Sequence, residues 1–307
     1  MMILSIKNKF HLTERRREAI ACALFIAPVV VGFLAFTLIP LLVSGVVSFT
    51  NYSLAGQPVF VGFDNYIFLF QDKFWWNSVR VTIVYAIIVV PLWLVNSLLL
   101  ALLMNQNLKG VHVFRTIYYL PAVLAGVAVA VLWRWILNYR FGLMNILLGE
   151  LGIAGPNWLG QKPWAFYSII LMSQYAIGWY LPIWLGGLQN IPTELYEAAE
   201  IDGADGLTKF FRITLPMLSP IILYNLVMNI IWATQLFTEP FILTGGGPQF
   251  STTSYMMYLY NNAFSYMKMG LATAMGWILF VVVLILTLMV FKSSPMWVYY
   301  ESERRNG

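Results

Sequence analysis

The segment 190–216 reads NIPTELYEAAEIDGADGLTKFFRITLP and joins two long uncharged runs of a 307-residue chain. The runs are Pro163–Thr193 and Ile213–Thr238. Because a charge in hydrocarbon costs several kcal/mol, uncharged runs of this length predict membrane-spanning helices. The segment itself holds five of the 13 acidic residues in the chain. We therefore interpret it as a polar loop between two spans of a membrane protein.

The composition of the whole chain supports this interpretation. Hydrophobic residues make up 60% of the sequence and charged residues 10%, whereas about 25% of an ordinary soluble domain is charged. So few charges exclude a disordered chain and argue against a soluble globular one. Cys22 has no second cysteine to pair with, and His11 and His112 are too few for a histidine-rich centre. We expect no metal site and no nucleic-acid partner.

Further uncharged runs extend the pattern to six predicted spans. A span needs about 20 apolar residues, so the run Ala19–Phe63 is cut at the turn-forming residues 51–58. The run Pro240–Met267 is left out because its Gly, Pro, Ser and Thr residues are typical of a loop. Continuous runs do not fit a β-barrel, so the predicted fold class is an all-α integral membrane protein. The domain 21–291 has predicted spans at about 21–49, 79–104, 116–138, 164–188, 217–238 and 270–291, between an N-terminal segment 1–20 and a tail 292–307.

The distribution of Lys and Arg predicts the orientation. If the N-terminus faces the cytoplasm, 12 of the 18 basic residues lie on the cytoplasmic side, in agreement with the positive-inside rule. The segment 1–20, the loop 190–216 and the tail 292–307 are then cytoplasmic. The first apolar stretch is about twice as long as the core of a signal peptide, and no typical cleavage site follows it. We interpret it as an uncleaved first span.

The polar inventory restricts how such a protein obtains energy. No Asp or Glu lies at the centre of a predicted span, so the intramembrane carboxylates typical of proton-coupled carriers are missing. The arginine ladders of voltage sensors are missing too. The chain has no G-x-x-x-x-G-K-[ST] loop for nucleotide phosphates. If transport is active, a partner protein must hydrolyse the nucleotide.

Local physics predicts two short helices in the loop 190–216. The first helix begins at Thr193, and the negative charge of the Glu residues near its start interacts favourably with the positive end of the helix dipole. Gly203 ends it, and Asp205 can cap the second. An exposed elbow needs a partner to cover its apolar side chains, although a linker lying on the membrane surface is an alternative. The acidic charge opposes that alternative because the cytoplasmic leaflet is negative. The apolar side chains are Leu195, Tyr196, Phe210 and Phe211.

The same residues carry a family resemblance. The pattern E-A-A-x3-G-x9-I-x-L-P resembles the signature of the membrane subunits of ATP-binding-cassette importers, and every defined position matches. The extension Asp202-Gly203-Ala204 is similar to the carbohydrate-importer branch. Segments 60–66, 115–121 and 243–248 also resemble the first of the two paired sugar permeases, the type of the maltose-transporter F subunit. The large outer domain of that subunit is absent, so the chain looks more like the shorter glycerol-phosphate, lactose or raffinose-type relatives.

The resemblance implies a fold, partners and a role for the loop. The fold is that of type I importer transmembrane domains, in a bacterial cytoplasmic membrane. The family works with two permease subunits, two cytoplasmic ATPases that bind ATP and Mg, and an external solute-binding protein. This chain itself then binds no cofactor and is no enzyme. The residues implied in coupling to an ATPase are Glu197, Ala198, Ala199, Asp202, Gly203, Ala204, Phe210, Ile213, Leu215 and Pro216.

Two helical stripes are candidates for the path of the solute. Tyr175 and Trp179 lie four residues apart in the fourth span, while Asn225, Asn229 and Trp232 share one face of the fifth. The resemblance implies that these helices line the path. Packing between helices is an equally open interpretation of each residue.

The outer segment 244–248 is a candidate contact for the binding protein. Its glycines predict either a flexible loop or a tight turn. The candidate residues are Gly245, Gly246, Gly247 and Pro248.

Several functions stay open from the sequence. The leading one is uptake of a sugar or oligosaccharide. A sugar-phosphate, glycerol phosphate or uronic-acid oligosaccharide would use the same machinery, although no Lys or Arg lies mid-span and only Arg80 and Arg134 could serve an outer vestibule. A stand-alone secondary carrier or channel is opposed by the missing carboxylates and by the loop. A membrane enzyme is opposed by the lack of a catalytic cluster.

Overall fold

In the computed structural model of the chain, the regular secondary structure of the described part is helical. No strand occurs there, and β pairing is limited to isolated bridges, Thr50 with Phe60 and Ser53 with Lys268. The all-α fold class is therefore confirmed. Most of the predicted segment 1–20 and half of the tail 292–307 lie outside the described residues. The described residues are 14–53, 56–106, 109–124 and 126–299.

The helices follow the uncharged runs closely. Three π-helical turns and two 3₁₀ segments connect or extend them, at Leu34–Leu38, Gln174–Tyr180, Phe210–Thr214, Asn261–Ser265 and Ser294–Met296. The α-helices are α1 (Glu14–Phe33), α2 (Ile39–Val47), α3 (Asp64–Gln71), α4 (Lys73–Met104), α5 (Val111–Val123), α6 (Gly126–Ile136), α7 (Leu143–Glu150), α8 (Trp164–Ser173), α9 (Leu181–Gln189), α10 (Thr193–Ile201), α11 (Gly206–Lys209), α12 (Leu215–Met217), α13 (Ser219–Thr234), α14 (Thr238–Leu243), α15 (Tyr255–Tyr260) and α16 (Met269–Ser293).

Among the described residues, five helical stretches are long and apolar enough to cross a membrane, and a bent pair makes up to a sixth. Each overlaps one predicted span. The first helix begins at Glu14, before the predicted start at 21, because charged residues can be helical outside the hydrocarbon. The stretches are Arg15–Val47, Lys73–Met104, Trp164–Gln189, Ser219–Leu243 and Met269–Met296, with Val111–Pro121 and Gly126–Ile136 as the bent pair.

The third predicted span, 116–138, is not one straight helix. The structure divides it into α5 and α6, which are bent by 93° relative to each other. Pro121 lies near the end of α5, where its ring removes a backbone donor. Leu124, which follows α5, is extended. A run free of charge shows where apolar residues lie, and it does not show that the helix through them is continuous.

The prediction that 240–267 is a loop is wrong in part. Residues 255–265 form α15 and the π-helical turn after it, and Ser254 caps the start by accepting from the backbone N–H of Met257 at 3.2 Å. Tyr255 is buried, and its hydroxyl donates to the carbonyl oxygen of Met275 at 2.7 Å. The aromatic side chains of this stretch gain burial against α4 and α16, which a local reading of turn-forming residues does not reveal.

The buried side chains form three clusters between the helices. One surrounds Tyr85, one Trp75, and the third, the Trp184 cluster, lies next to the loop 190–216. Outside the clusters, large apolar side chains point away from the chain, for example Phe25 and Phe36. Such a surface suits lipid or a partner subunit rather than water. The Trp184 cluster consists of Leu100, Ala101, Tyr180, Leu181, Trp184, Leu188, Ile191 and Leu218.

Candidate coupling loop and translocation path

The loop 190–216 forms the two-helix elbow that the sequence predicts. α10 begins at Thr193 directly after Pro192 and ends before Gly203, whose φ is +78°. The carboxylate of Asp205 accepts from the backbone N–H of Thr208 at 2.9 Å and caps the second helix. That helix continues through α11, the π-helical turn and α12 as far as Met217. The predicted start and stop signals are therefore confirmed.

Gly203 closes α10 with a Schellman arrangement. The backbone N–H of Ala204 donates to the carbonyl of Ala199 at 2.8 Å, and that of Gly203 donates to Glu200 at 3.0 Å. A left-handed residue is needed at this point, and glycine adopts that conformation without a steric penalty. The glycine of the motif is thus explained by the backbone of the elbow.

Charged side chains hold the exposed side of the elbow. Lys209 donates from Nζ to Oε1 of Glu200 at 2.6 Å, and this hydrogen bond lowers the pKa of the Glu200 carboxyl. The pKa of Asp205 is also lowered, chiefly by its hydrogen bonds from Thr208. Both carboxylates therefore stay ionised at neutral pH and keep the elbow acidic.

The elbow presents a surface that fits a protein partner. Glu197 and Ala198 are exposed on α10, and the apolar side chains of Ile201, Leu207 and Phe211 are exposed beside them. A cavity of about 640 Å³ opens between the two helices. Small residues and acids around an apolar surface allow close approach and ion pairing. The cavity is lined by Ala199, Asp202, Gly203, Ala204, Asp205, Thr208, Lys209, Arg212 and Ile213.

The predicted coupling residues do not all share this surface. Leu215 and Pro216 lie in α12, where the second helix runs towards the membrane segment, and Phe210 is half-buried. Tyr196 and Thr214, which stand at no defined position of the motif, bond to each other through their hydroxyl groups at 2.8 Å. Only the folded arrangement brings these two residues together, since 18 positions separate them.

The structure separates the residues predicted to line the path. Asn225 and Asn229 are fully buried, and their amide groups have no hydrogen-bond partner within the described part of the chain. Trp232, predicted on the same face, is 55% exposed. In the fourth span, Trp179 is 51% exposed and Tyr175 is half-buried, both within the 3₁₀ segment. In this chain the two tryptophans are therefore exposed, whereas the two asparagines are packed.

The other polar side chains of the predicted spans differ in their hydrogen bonding and exposure. Asn96 donates its amide to Gln174 at 2.9 Å and links α4 to the 3₁₀ segment, whereas Gln235 is exposed. Glu239 is half-buried in the first turn of α14 and lies within the candidate span Ser219–Leu243. The uncharged run that predicts the fifth span ends at Thr238, so a prediction based on uncharged residues leaves Glu239 outside that span.

The segment 244–254, for which the sequence predicts an outer position, is a hydrogen-bonded turn rather than a flexible loop. Gly245 and Gly246 have φ values of +60° and +83°. The hydroxyl groups of Thr244 and Thr252 bond at 2.7 Å, and Thr253 donates to the carbonyl of Gly246 at 3.0 Å. Of the two alternatives that the glycines left open, the structure has the tight turn. Gly247 and Pro248 complete it.

Comparison with known proteins identifies the family. A family model described as “Binding-protein-dependent transport system inner membrane component” matches residues 94–299, which is more than half of the chain. The chain belongs to this family. The permease is thus a membrane-spanning transport component, as the motif indicated.

Individual relatives agree with this assignment. The permease is 42% identical over 293 residues to “Probable ABC transporter permease protein YesP” of Bacillus subtilis, with 94% of each chain covered. It is 34% identical over 278 residues to “Trehalose/maltose transport system permease protein MalF” of Thermococcus litoralis, covering 90% of this chain and 94% of the relative.

A solved structure supports the fold. A chain of a bacterial alginate ABC transporter, crystallised in complex with an alginate pentasaccharide-bound periplasmic protein, matches with a TM-score of 0.81 at 26% identity. The match covers 91% of the permease and 95% of that chain. The type I importer fold and the resemblance to carbohydrate-importer permeases are therefore confirmed.

Proposed function

We propose that this permease imports a sugar or oligosaccharide by alternating access. Its proposed partners are a second permease subunit, two cytoplasmic ATPases that bind ATP and Mg, and an extracytoplasmic solute-binding protein. The trehalose/maltose name of one relative and the alginate-bound periplasmic protein of the structural neighbour support this proposal. The proposed orientation puts both chain ends and the elbow in the cytoplasm, as the distribution of Lys and Arg indicates.

The observation that carries the proposal is the surface of the elbow. α10 presents Glu197, Ala198 and exposed apolar side chains, although no other part of the described chain covers them. The small alanine lets the backbone of a partner approach closely, and the glutamate can pair with its Arg or Lys. An ATPase cleft of that chemistry would cover the apolar surface and hold the elbow as a rigid body.

The proposed mechanism follows from this contact. ATP closes the ATPase dimer, and the elbows of both permease subunits move towards each other with it. The membrane helices then rock from an inward-facing to an outward-facing state. The solute is released from the binding protein into the cavity between the subunits. Only a partner that binds the two states differently can shift this equilibrium.

Exposure in the single chain indicates which residues meet the solute. A path between two permease subunits is lined by side chains that are exposed when one subunit is considered alone. Trp179 and Trp232 meet this condition. Flat aromatic faces pack against the C–H faces of sugar rings, and a few polar groups then fix the orientation. Tyr175 and Gln235 can supply such polar groups.

The charge near the path favours a neutral solute. Glu239 is half-buried in α14, and no Lys or Arg lies within 4 Å of it in the described structure. The carboxyl group of Glu239 can hydrogen-bond with sugar hydroxyls and offers no positive charge to an anionic solute. An acidic oligosaccharide is the second candidate, because the matching structure belongs to an alginate transporter and Arg80 and Arg134 are exposed.

Reconstitution of the complete transporter tests the coupling role. We expect Glu197→Lys to abolish binding of the ATPase and ATP-driven uptake in proteoliposomes, because it replaces an anion with a cation in the contact. Glu150→Lys, at an exposed acid far from the elbow, is the matched control. Normal uptake in the Glu197 variant would contradict the coupling role, and uptake without any ATPase would favour a stand-alone carrier.

Competition measurements test the class of solute. Neutral oligosaccharides, uronic-acid oligosaccharides and glycerol 3-phosphate would each be offered against a transported neutral sugar. We expect only the neutral compounds to compete. Efficient competition by uronic-acid oligosaccharides, together with better uptake of them in Glu239→Gln, would establish the acidic candidate instead.

A further inference from the structure

A partly buried pair of hydroxyl groups joins the elbow to the membrane helices. Oη of Tyr196, in the middle of α10, lies 2.8 Å from Oγ1 of Thr214, at the end of the π-helical turn. Thr214 is 6% exposed, and Tyr196 is half-buried. Most of the other side chains of α10 are exposed. Tyr196 is thus the side chain that extends from α10 into the protein.

The bond lies at the edge of a close-packed core. Tyr196 and Ile213 pack against the Trp184 cluster, which contains residues of α4 and α9. Trp184 is itself fixed, since its indole N–H donates to Oγ of Ser97 in α4 at 2.8 Å. Packed interiors are stiff and transmit displacement. A force on α10 therefore reaches α4 and α9 through Tyr196.

A second contact joins the two helices of the elbow, and it is more exposed to solvent. Lys209 and Glu200 form an ion pair whose glutamate side chain is 66% exposed and whose lysine side chain is 20% exposed. Exposed pairs of this kind are screened by water and salt and contribute little. The Tyr196–Thr214 bond is shielded, so its geometry is held by the surrounding side chains. Of these two contacts, the Tyr196–Thr214 hydrogen bond is therefore the one that can transmit motion from the first helix of the elbow to the second.

We propose that the Tyr196–Thr214 hydrogen bond is a positioning contact that converts movement of the elbow into rocking of the membrane helices. The proposal rests on the coupling role proposed for the elbow. Without the bond, α10 can follow the ATPase while the second helix stays behind. ATP hydrolysis then continues, and fewer solute molecules are moved for each ATP. The two residues act through the elbow and touch neither nucleotide nor solute.

The test compares variants that each remove one hydroxyl group from the complete transporter. Tyr196→Phe keeps the ring, and Thr214→Val keeps the shape of the side chain. Tyr167→Phe, at an exposed tyrosine of α8, is the matched control. For each variant, ATPase binding, ATP hydrolysis and uptake are measured in proteoliposomes with the binding protein and its solute.

We expect both variants to bind the ATPase and hydrolyse ATP within about two-fold of the wild type, while the uptake per ATP falls about five-fold. A factor of about five corresponds to about 1 kcal/mol, the usual net contribution of one hydrogen bond. The double variant should be no worse than Thr214→Val alone, because both changes remove the same bond and only the Thr214 hydroxyl has a further contact, with the carbonyl of Lys209 at 3.5 Å. Thr214→Ser, which keeps the hydroxyl, should restore the ratio.

Three results would overturn the proposal. One is an unchanged ratio of uptake to ATP in both variants, and another is an additive loss in the double variant. The third is loss of the assembled complex, which would make the bond a folding contact. The Glu197→Lys experiment separates this inference from the proposed function. If that variant releases the ATPase and Tyr196→Phe stays coupled, only the positioning role fails.

Discussion

Gly203 offers a way to disturb the elbow through its backbone alone. Its φ of +78° lies in the left-handed region, and a Cβ placed there meets nothing within 4 Å. Gly203→Ala therefore creates no clash, and its cost is the left-handed backbone, about 1–2 kcal/mol for an L-residue. That range corresponds to a factor of about 5–30 in the equilibrium constant for forming the two-helix elbow. We expect ATP-driven uptake to fall by at least about five-fold.

A graded series makes the reasoning testable. Asparagine tolerates the left-handed region better than alanine, so Gly203→Asn should retain more uptake than Gly203→Ala. Gly206→Ala is the control, because Gly206 also has open space around its Cβ and has no left-handed φ. The assay is the initial rate of uptake in proteoliposomes, with ATPase binding measured in parallel. Equal rates for Ala at 203 and 206, or a greater loss with Asn, would refute the backbone explanation.

Three further predictions concern packing and pH. Gly178→Ala should lower the thermal unfolding midpoint of the purified permease, because the new Cβ would lie 1.9 Å from the carbonyl oxygen of Tyr118, and overpacking of this kind costs about 1–3 kcal/mol. Asn229→Leu should raise that midpoint and leave the KM of uptake unchanged, since it removes a buried amide without a partner. The hydrogen bond from Lys209 lowers the pKa of Glu200. The stabilisation of the elbow by this ion pair is therefore present at neutral pH and is lost as the pH falls through the lowered pKa. Glu200→Gln should therefore speed hydrogen exchange of the loop amides at pH 7, and the difference from the wild type should vanish well below pH 4.5.

Each of these predictions has a contradicting outcome, and the first also has a matched control. Gly186→Ala adds a Cβ with nothing within 4 Å, so an equal midpoint in both alanine variants would contradict the close approach at Gly178. A raised KM in Asn229→Leu would place that amide on the path of the solute. A difference in exchange that persists at low pH would show that Glu200 acts through something other than its charge.

Local chemistry explains why much of the elbow is predictable. Capping by Asp205 and the left-handed end at Gly203 depend on neighbouring residues in the chain, and the structure has both as predicted. The bend between α5 and α6 is less predictable, because Pro121 can kink, end or be tolerated in a helix according to what packs around it. The prediction of a loop fails at 255–265 because the helix there depends on burial against α4 and α16.

The path residues show the same limit. Helical periodicity puts Asn225, Asn229 and Trp232 on one face, and α13 has that geometry. Periodicity gives the angle of a side chain about its own helix axis. It does not give the positions of the neighbouring helices. Those positions determine that the two asparagines are buried and that the tryptophan is exposed.

Residue chemistry and spacing along the chain are enough to establish the membrane class, the helical fold and the motif of the elbow. These follow from the cost of charge in hydrocarbon, from helix capping, and from the spacing of Glu197, Gly203 and Pro216. Which polar groups are enclosed and which are available depends instead on how the helices pack against each other. Tyr196 meets Thr214 because two helices fold back on each other, and such contacts depend on distances that no local rule contains.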